Sequence, residues 1–175
     1  MIKIALTGGI GTGKTYISQQ FAAIGIPIYY ADDEAKKLYQ DAEVVNFLHK
    51  QFGEVIFKDG TLCLPKLAEQ IFTNPQQLTL LNNFLHPLVM AKFNAWAEEQ
   101  KSSMVIMESA IIFEANLTHH FDKIWVVNAP LDIRIERIKK RNPHLTLDNI
   151  RARIANQISQ EEKCKHADLV IDNTF

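Results

Sequence analysis

Eight consecutive residues near the N-terminus, Gly8-Gly9-Ile10-Gly11-Thr12-Gly13-Lys14-Thr15, fit the spacing G-x-x-x-x-G-K-[ST]. A loop folded around a polyphosphate has to turn its backbone N–H groups inward, and glycine reaches the φ values this needs without steric cost. A helix that follows such a loop presents unpaired N–H groups and the positive end of its dipole to the same anion. Lys14 is then placed to reach the β and γ phosphates, and the Thr15 hydroxyl to take a position on Mg²⁺. Four of the seven glycines fall in this cluster and none follows Gly60. Asp32 stands about where a dinucleotide fold keeps its ribose-binding acid. No stretch reads G-x-G-x-x-G, however, and the Lys-Thr pair points to a nucleoside triphosphate.

Absent motifs narrow the class. Without N-K-x-D or D-x-x-G a regulatory GTPase is disfavoured, and without an L-S-G-G-Q-like stretch so is a transport ATPase. A small kinase remains. It needs a group to take or orient the proton of an acceptor hydroxyl, and acceptors in such sheets bind off the C-terminal strand ends, where Asp32 is expected. Asp32 equally suits a helix cap. Glu108, after Met104-Val105-Ile106-Met107, resembles an acid that orders Mg²⁺ through water, or else is an exposed strand-end acid. Arg134, Arg137 and Arg141 share one helix face while Leu131, Ile135 and Ile138 form an apolar stripe on another. Such arginines neutralise transferring phosphates or face water, and the nearby phosphate loop favours function for Arg137 or Arg141. His86-Pro87 reads by spacing alone as a helix break, and the remaining histidines have no metal-ligand partners.

The elements that must position these residues are short strands alternating with helices. Residues 2–7 (IKIALT), 26–30 (IPIYY), 103–107 (SMVIM), 123–129 (KIWVVNA) and 168–171 (DLVI) read as strands. Helices are expected over 14–24, from Asp32 onward, and over 131–141. Residues 44–101 read as mostly helical, with a turn at Lys58-Asp59-Gly60, helix starts at Pro65, Pro75 and Pro87, and no strand. Thr146 and Ser159 are candidate caps for two short helices that would form a lid, excluding the water that competes with the acceptor. An α/β fold with a five-stranded parallel sheet follows.

The 175 residues, 47% hydrophobic with a net charge of −1, suit one compact α/β protein and exclude a disordered or strongly basic nucleic-acid-binding chain. Residues 131–165 alone are basic, with 9 basic against 5 acidic side chains. Two isolated cysteines offer neither a disulfide framework nor a zinc site. The longest uncharged stretch is too rich in Gln, Asn, Thr and Pro to span a bilayer, and no secretory signal is apparent. A cytoplasmic protein is expected, without nucleic-acid or membrane partners, as a monomer or weak homo-oligomer.

Several motifs together resemble the dephospho-CoA kinase family in the same order along nearly the whole chain. They are IALTGGIGTGKT, Ala31-Asp32, Leu85-His86-Pro87-Leu88, Ile111-Ile112-Phe113-Glu114, Arg137 with Arg141, Gln157 with Glu161-Glu162-Lys163, Ala167-Asp168 and Ile171-Asp172-Asn173. The resemblance implies transfer of the ATP γ-phosphate to the ribose 3′-hydroxyl of dephospho-coenzyme A, with Mg²⁺. It implies a P-loop NTPase core (1–43, 102–141 and 167–175), a helical insertion holding the coenzyme (44–101) and a helical lid (142–166). By the same resemblance Gly9 and Gly11 to Tyr16 hold the ATP phosphates and Asp32 is the base. His86 and Pro87 border the coenzyme, Arg137 and Arg141 are nucleotide and lid arginines, and Asn173 lies near the adenine.

The chain departs from the family pattern in places. Tyr30 replaces the first acid of a common D-A-D, Cys63-Leu64 an acidic-basic pair, Ala110 the Pro of P-L-L-F-E, and Gln160 a basic residue. The family usually continues with another helix, whereas this sequence ends at Phe175. From the residues alone, another P-loop small-molecule or nucleotide kinase and a non-catalytic nucleotide-binding module stay open.

Overall fold

A computed structural model describes residues 1–174, apart from the side chains of Phe72 and Thr73. Phe175, the end of the expected core segment 167–175, lies outside the described residues. The order is β1 (Ile2–Thr7), α1 (Lys14–Ala23), β2 (Ile28–Tyr30), α2 (Ala31–Leu38), α3 (Ala42–Phe52), β3 (Phe57–Lys58), β4 (Thr61–Leu62), α4 (Leu64–Thr73) and α5 (Pro75–Glu98). β5 (Met104–Glu108), β6 (Lys123–Asn128), α6 (Leu131–Arg141), α7 (Leu147–Ala155), α8 (Gln160–Lys165) and β7 (Leu169–Asp172) follow. Two compact units result, Met1–Tyr30 with Ala97–Phe175 as one and Ala31–Trp96 as the other.

The first unit holds the five-stranded parallel sheet, ordered β2-β5-β1-β6-β7. β1 is central because Ile4, Ala5 and Leu6 are at most 1% exposed, a run that needs cover on both faces. Ile4 and Leu6 pack with Ile106 and Val127, and Ile17, Phe21 and Trp125 lie against this cluster. After β1 the chain builds β2 and β5 on one side and then crosses to β6 and β7 on the other. The C-terminal end of β1 is thus a topological switch point, where such sheets open a crevice for ligands.

The helical unit corrects two expectations. Phe57-Lys58 and Thr61-Leu62 pair as a small antiparallel hairpin in a region read as strand-free. Its turn residues Asp59 and Gly60 both have positive φ (52° and 74°), the geometry that a two-residue Asp-Gly connection favours. Two residues per strand are too few to show alternation.

Pro87 starts no helix and breaks none, because α5 runs unbroken from Pro75 to Glu98 around it. A proline inside a helix removes one backbone hydrogen bond and costs about 3 kcal/mol. Leu81, Leu85, Val89 and Phe93, at helical spacing on both sides of it, are all buried. At about 1.5–3 kcal/mol per buried side chain they outweigh the break. α5 begins where expected, with Asn74 Oδ1 accepting from the N–H groups of Gln76 (3.0 Å) and Gln77 (3.3 Å).

Candidate active site

β1 delivers the glycine loop directly to the switch point, and α1 starts at Lys14. Gly13 caps that helix at φ 88°, and a Cβ there would strike the Asn173 side-chain amide. Asn173, only 3% exposed, donates through Nδ2 to the Thr12 carbonyl at 2.9 Å, while its own N–H donates to Asn128 O at 2.8 Å. The end of β7 is thereby fastened to the phosphate loop. Gly11 lies against the backbone of Arg134. Thr12, fully buried, closes the loop by donating from Oγ1 to Gly9 O at 2.9 Å.

Lys14 bends over the loop, its Nζ donating to Gly8 O at 3.0 Å and Gly9 O at 3.4 Å. Thr15 Oγ1 donates to Glu108 Oε2 at 3.2 Å. Glu108 ends β5, paired in register with Leu6 of β1 and Tyr30 of β2. Tyr16 is exposed in the first turn of α1. The first N–H groups of a helix have no intrahelical acceptors, so this turn presents donors beside the Thr15 hydroxyl and the Glu108 carboxylate.

α6 brings the arginines, at different depths. Arg134 is 5% exposed and donates from Nε to Ile10 O at 2.9 Å, and burial pulls its guanidinium below the usual arginine value. Arg137 donates to Thr12 O at 3.2 Å and Asn173 O at 3.1 Å. Arg141 is exposed at the end of α6, with Nε 3.5 Å from Asn142 Oδ1. Beside Asn173 a cavity of about 370 Å³ is lined by Ile133, Glu136, Arg137, Lys140 and Thr174.

The first unit therefore brings together Lys14, Thr15, Glu108, Arg137 and Asn173. Asp32, His86 and Pro87 belong to the helical unit. Asp32 is exposed in the first turn of α2, and farther along Lys36 and, just past the helix end, Tyr39 line a second cavity of about 370 Å³ with Phe57 and Leu62. His86 is half-buried within α5, and burial lowers its pKa. Sequence reasoning gave no loop contact to Gln157 and Gln160, whose side-chain carbonyls accept from Ile10 N–H (2.7 Å) and Gly9 N–H (2.9 Å). Nor did it foresee that Lys163 and Glu114, both in motifs of the family resemblance, pair at 2.7 Å with the lysine fully buried. These partners lie roughly 50 to 150 residues away in sequence, and no local spacing encodes them.

The dephospho-CoA kinase family model matches residues 2–175. A dephospho-CoA kinase of Bacteroides fragilis is 37% identical over 174 residues, covering 98% of this chain and 84% of the relative. One from Bacillus cereus is 36% identical over 98% of this chain and 88% of its own length. Among solved structures, a Thermus thermophilus protein superposes with a TM-score of 0.90 at 29% identity, over 99% of this chain and 89% of its own. The dephospho-CoA kinase of Campylobacter jejuni gives 0.67 at 26%, over 99% and 88%. Shikimate kinase from Acinetobacter baumannii, at 14% identity and a TM-score of 0.57, shares the fold. With a phosphate loop at the switch point and family motifs from end to end, the chain belongs to the dephospho-CoA kinase family.

Proposed function

We propose that the chain transfers the γ-phosphoryl group of ATP to the ribose 3′-hydroxyl of dephospho-coenzyme A, giving coenzyme A and ADP. The observation that carries this reading is the phosphate loop with the Thr15–Glu108 pair at its mouth, in a chain of this family. Gly11, Gly13 and the first turn of α1 cradle the phosphates, Gly9 shapes the loop behind them, and Lys14 exchanges its loop carbonyls for phosphoryl oxygens. Arg137 adds positive charge beside Thr12. The cavity beside Asn173 accepts the adenine.

Thr15 and Glu108 fit Mg²⁺, since a hydroxyl and a carboxylate are the hard oxygen donors it prefers. Magnesium commonly draws its other ligands from phosphate and water. Thr15 would hold it directly and Glu108 through water. The bound ion supplies neutralisation of charge on the β and γ oxygens.

Asp32 takes or orients the proton of the acceptor hydroxyl. The helical unit, including His86 and Pro87, holds the coenzyme, and Arg141 with the first part of the 142–166 segment closes over the phosphates, pivoting on the part that Lys163 fixes to Glu114. No described helix is long and apolar enough to cross a membrane. The setting we assign is the cytoplasm, as a monomer or weak homo-oligomer.

The test is coupled ADP release with dephospho-coenzyme A, shikimate and nucleoside monophosphates offered in parallel. Release dependent on dephospho-coenzyme A alone is expected. Release with another acceptor only, or ATP binding with no transfer at all, would overturn the assignment.

A further inference from the structure

Two consecutive N–H groups of the phosphate loop are held by side chains from near the far end of the chain. Gly9 N–H donates to Gln160 Oε1 at 2.9 Å, and Ile10 N–H donates to Gln157 Oε1 at 2.7 Å. The carbonyl of Ile10 is held as well, by Arg134 Nε at 2.9 Å. Both polar backbone groups of Ile10 are thus fixed from outside the loop. Gly9 is pressed equally close, since a Cβ there would meet the Arg134 guanidinium and lie 3.0 Å from Gln160 Oε1.

The glutamines are themselves held in place. Gln160 Nε2 donates to Val127 O at 2.9 Å, tying it to β6. Glu114 accepts from Ile158 N–H at 3.1 Å and from Lys163 Nζ at 2.7 Å, and Lys163 also donates to Ala110 O at 3.1 Å. The Lys163 side chain is completely buried, so the segment carrying both glutamines is bolted to the turn after β5. A side chain that aims a binding group is effective to the degree that its own orientation is fixed.

We propose that Gln157 and Gln160 are positioning residues of the ATP site: by holding the Ile10 and Gly9 N–H groups, they preset the phosphate loop in its ATP-accepting form before the nucleotide arrives. Without them the loop samples other forms in which those amides are released, and the apparent affinity for ATP falls by the fraction of time spent there. This rests on reading the loop as an ATP site, and it is independent of the acceptor.

The test is equilibrium binding of Mg²⁺-ATP and of adenosine to the full chain and to Gln157→Met and Gln160→Met. About a tenfold rise in the ATP Kd is expected, with adenosine Kd unchanged and kcat at saturating ATP within about twofold. A purely structural role would lower kcat through loss of active protein and leave both Kd values alone, overturning the proposal. Amide hydrogen exchange in the unaltered chain gives a second test that needs no variant. Gly9 and Ile10 should be protected before ATP is added, and fast exchange that slows only with ATP would overturn the preset loop. If the unaltered chain binds no ATP, the site reading itself fails, and this inference with it.

Discussion

Thr15 Oγ1 donates to Glu108 Oε2 at 3.2 Å, joining the first turn of α1 to the last residue of β5. They come together because β1, whose loop leads into Thr15, lies beside β5, with Leu6 in register with Glu108. In the proposed reaction this pair would hold Mg²⁺, Thr15 directly and Glu108 through water. Glu108→Gln keeps the shape and the acceptor oxygen but loses the charge. The Mg²⁺ concentration for half-maximal activity should rise about 10- to 100-fold, the range for groups that act on a metal through its ligands. Titrating Mg²⁺ at saturating ATP checks it, and an unchanged midpoint would remove Glu108 from that role.

Asp32 is the second residue of α2, with Asp33 and Glu34 beside it. Asp33 already has a partner in Lys36 at 2.8 Å, and Glu34 in Lys37 at 2.6 Å. The assignment of Asp32 as the base predicts that Asp32→Asn folds and binds ATP normally yet loses about 10²- to 10⁴-fold in kcat. Asp33→Asn should stay near wild type, because an exposed ion pair one turn long contributes little. Turnover of the two variants side by side decides between base and helix cap.

Gly13 and Asn173 make a steric pair. Gly13→Ala places a methyl group at φ 88° and against the Asn173 side-chain amide, which already binds Thr12 O. About 2 kcal/mol or more of stability should be lost, from left-handed backbone strain and the clash together. Adding Asn173→Ala should restore only the steric part, so the double variant would lie above the sum of the singles. Thermal unfolding of all four proteins measures that coupling.

Much of this architecture is legible locally. The glycine loop names its own strand and helix, and α6 spans 131–141 as its apolar stripe predicts, because both signals repeat within one or two turns. Thr146 Oγ1 accepting from Asn149 N–H at 3.2 Å and Ser159 Oγ from Glu162 N–H at 3.1 Å are caps of the same local kind. The Glu162 carboxylate meets His166 Nε2 at 2.9 Å. What escaped is long-range. Arg134 looks like its neighbours on the helix wheel, and only the approach of the loop buries it while Arg141 stays exposed. The grouping of α2 with the helical unit, against a sequence boundary at residue 44, is likewise a matter of packing.

Tyr39 lines the cavity of the helical unit, and burial raises the pKa of its hydroxyl. If the coenzyme occupies that cavity, Tyr39→Ala should raise KM for dephospho-coenzyme A about tenfold, the scale of one lost aromatic contact, and leave KM for ATP unchanged. Equal rises for both substrates would place the acceptor elsewhere.

Asp168 supplies a pH-dependent element at the start of β7. Ile124 N–H donates to Oδ2 at 2.8 Å and Lys123 Nζ lies 3.0 Å from Oδ1. The backbone hydrogen bond first, and Lys123 second, hold its carboxyl below the ordinary aspartate value of 3.8. A folded-state pKa depressed in this way stabilises the protein above the unfolded value, and the contribution is lost as pH falls through the folded one. Asp168→Asn should therefore lower Tm at pH 7, with the deficit shrinking as pH drops below about 4. A deficit that is constant across that range would show that hydrogen bonding or packing alone, and not the carboxylate charge, is what Asp168 contributes.

Pro87 is the position where stability and function should pull apart. Its ring leaves the Asn83 carbonyl without the usual donor four residues on, in the middle of a helix that buries Leu85 and Val89 on either side. Pro87→Ala restores the donor, while the looser unfolded chain takes back part of the gain, about 0.4–1 kcal/mol. A net stabilisation of about 1–2 kcal/mol is expected, seen as a higher Tm. If Pro87 borders the bound coenzyme, the same substitution raises KM for dephospho-coenzyme A and spares KM for ATP. A more stable enzyme with both constants unchanged would make the proline a tolerated fault in α5 and take Pro87 out of the coenzyme site.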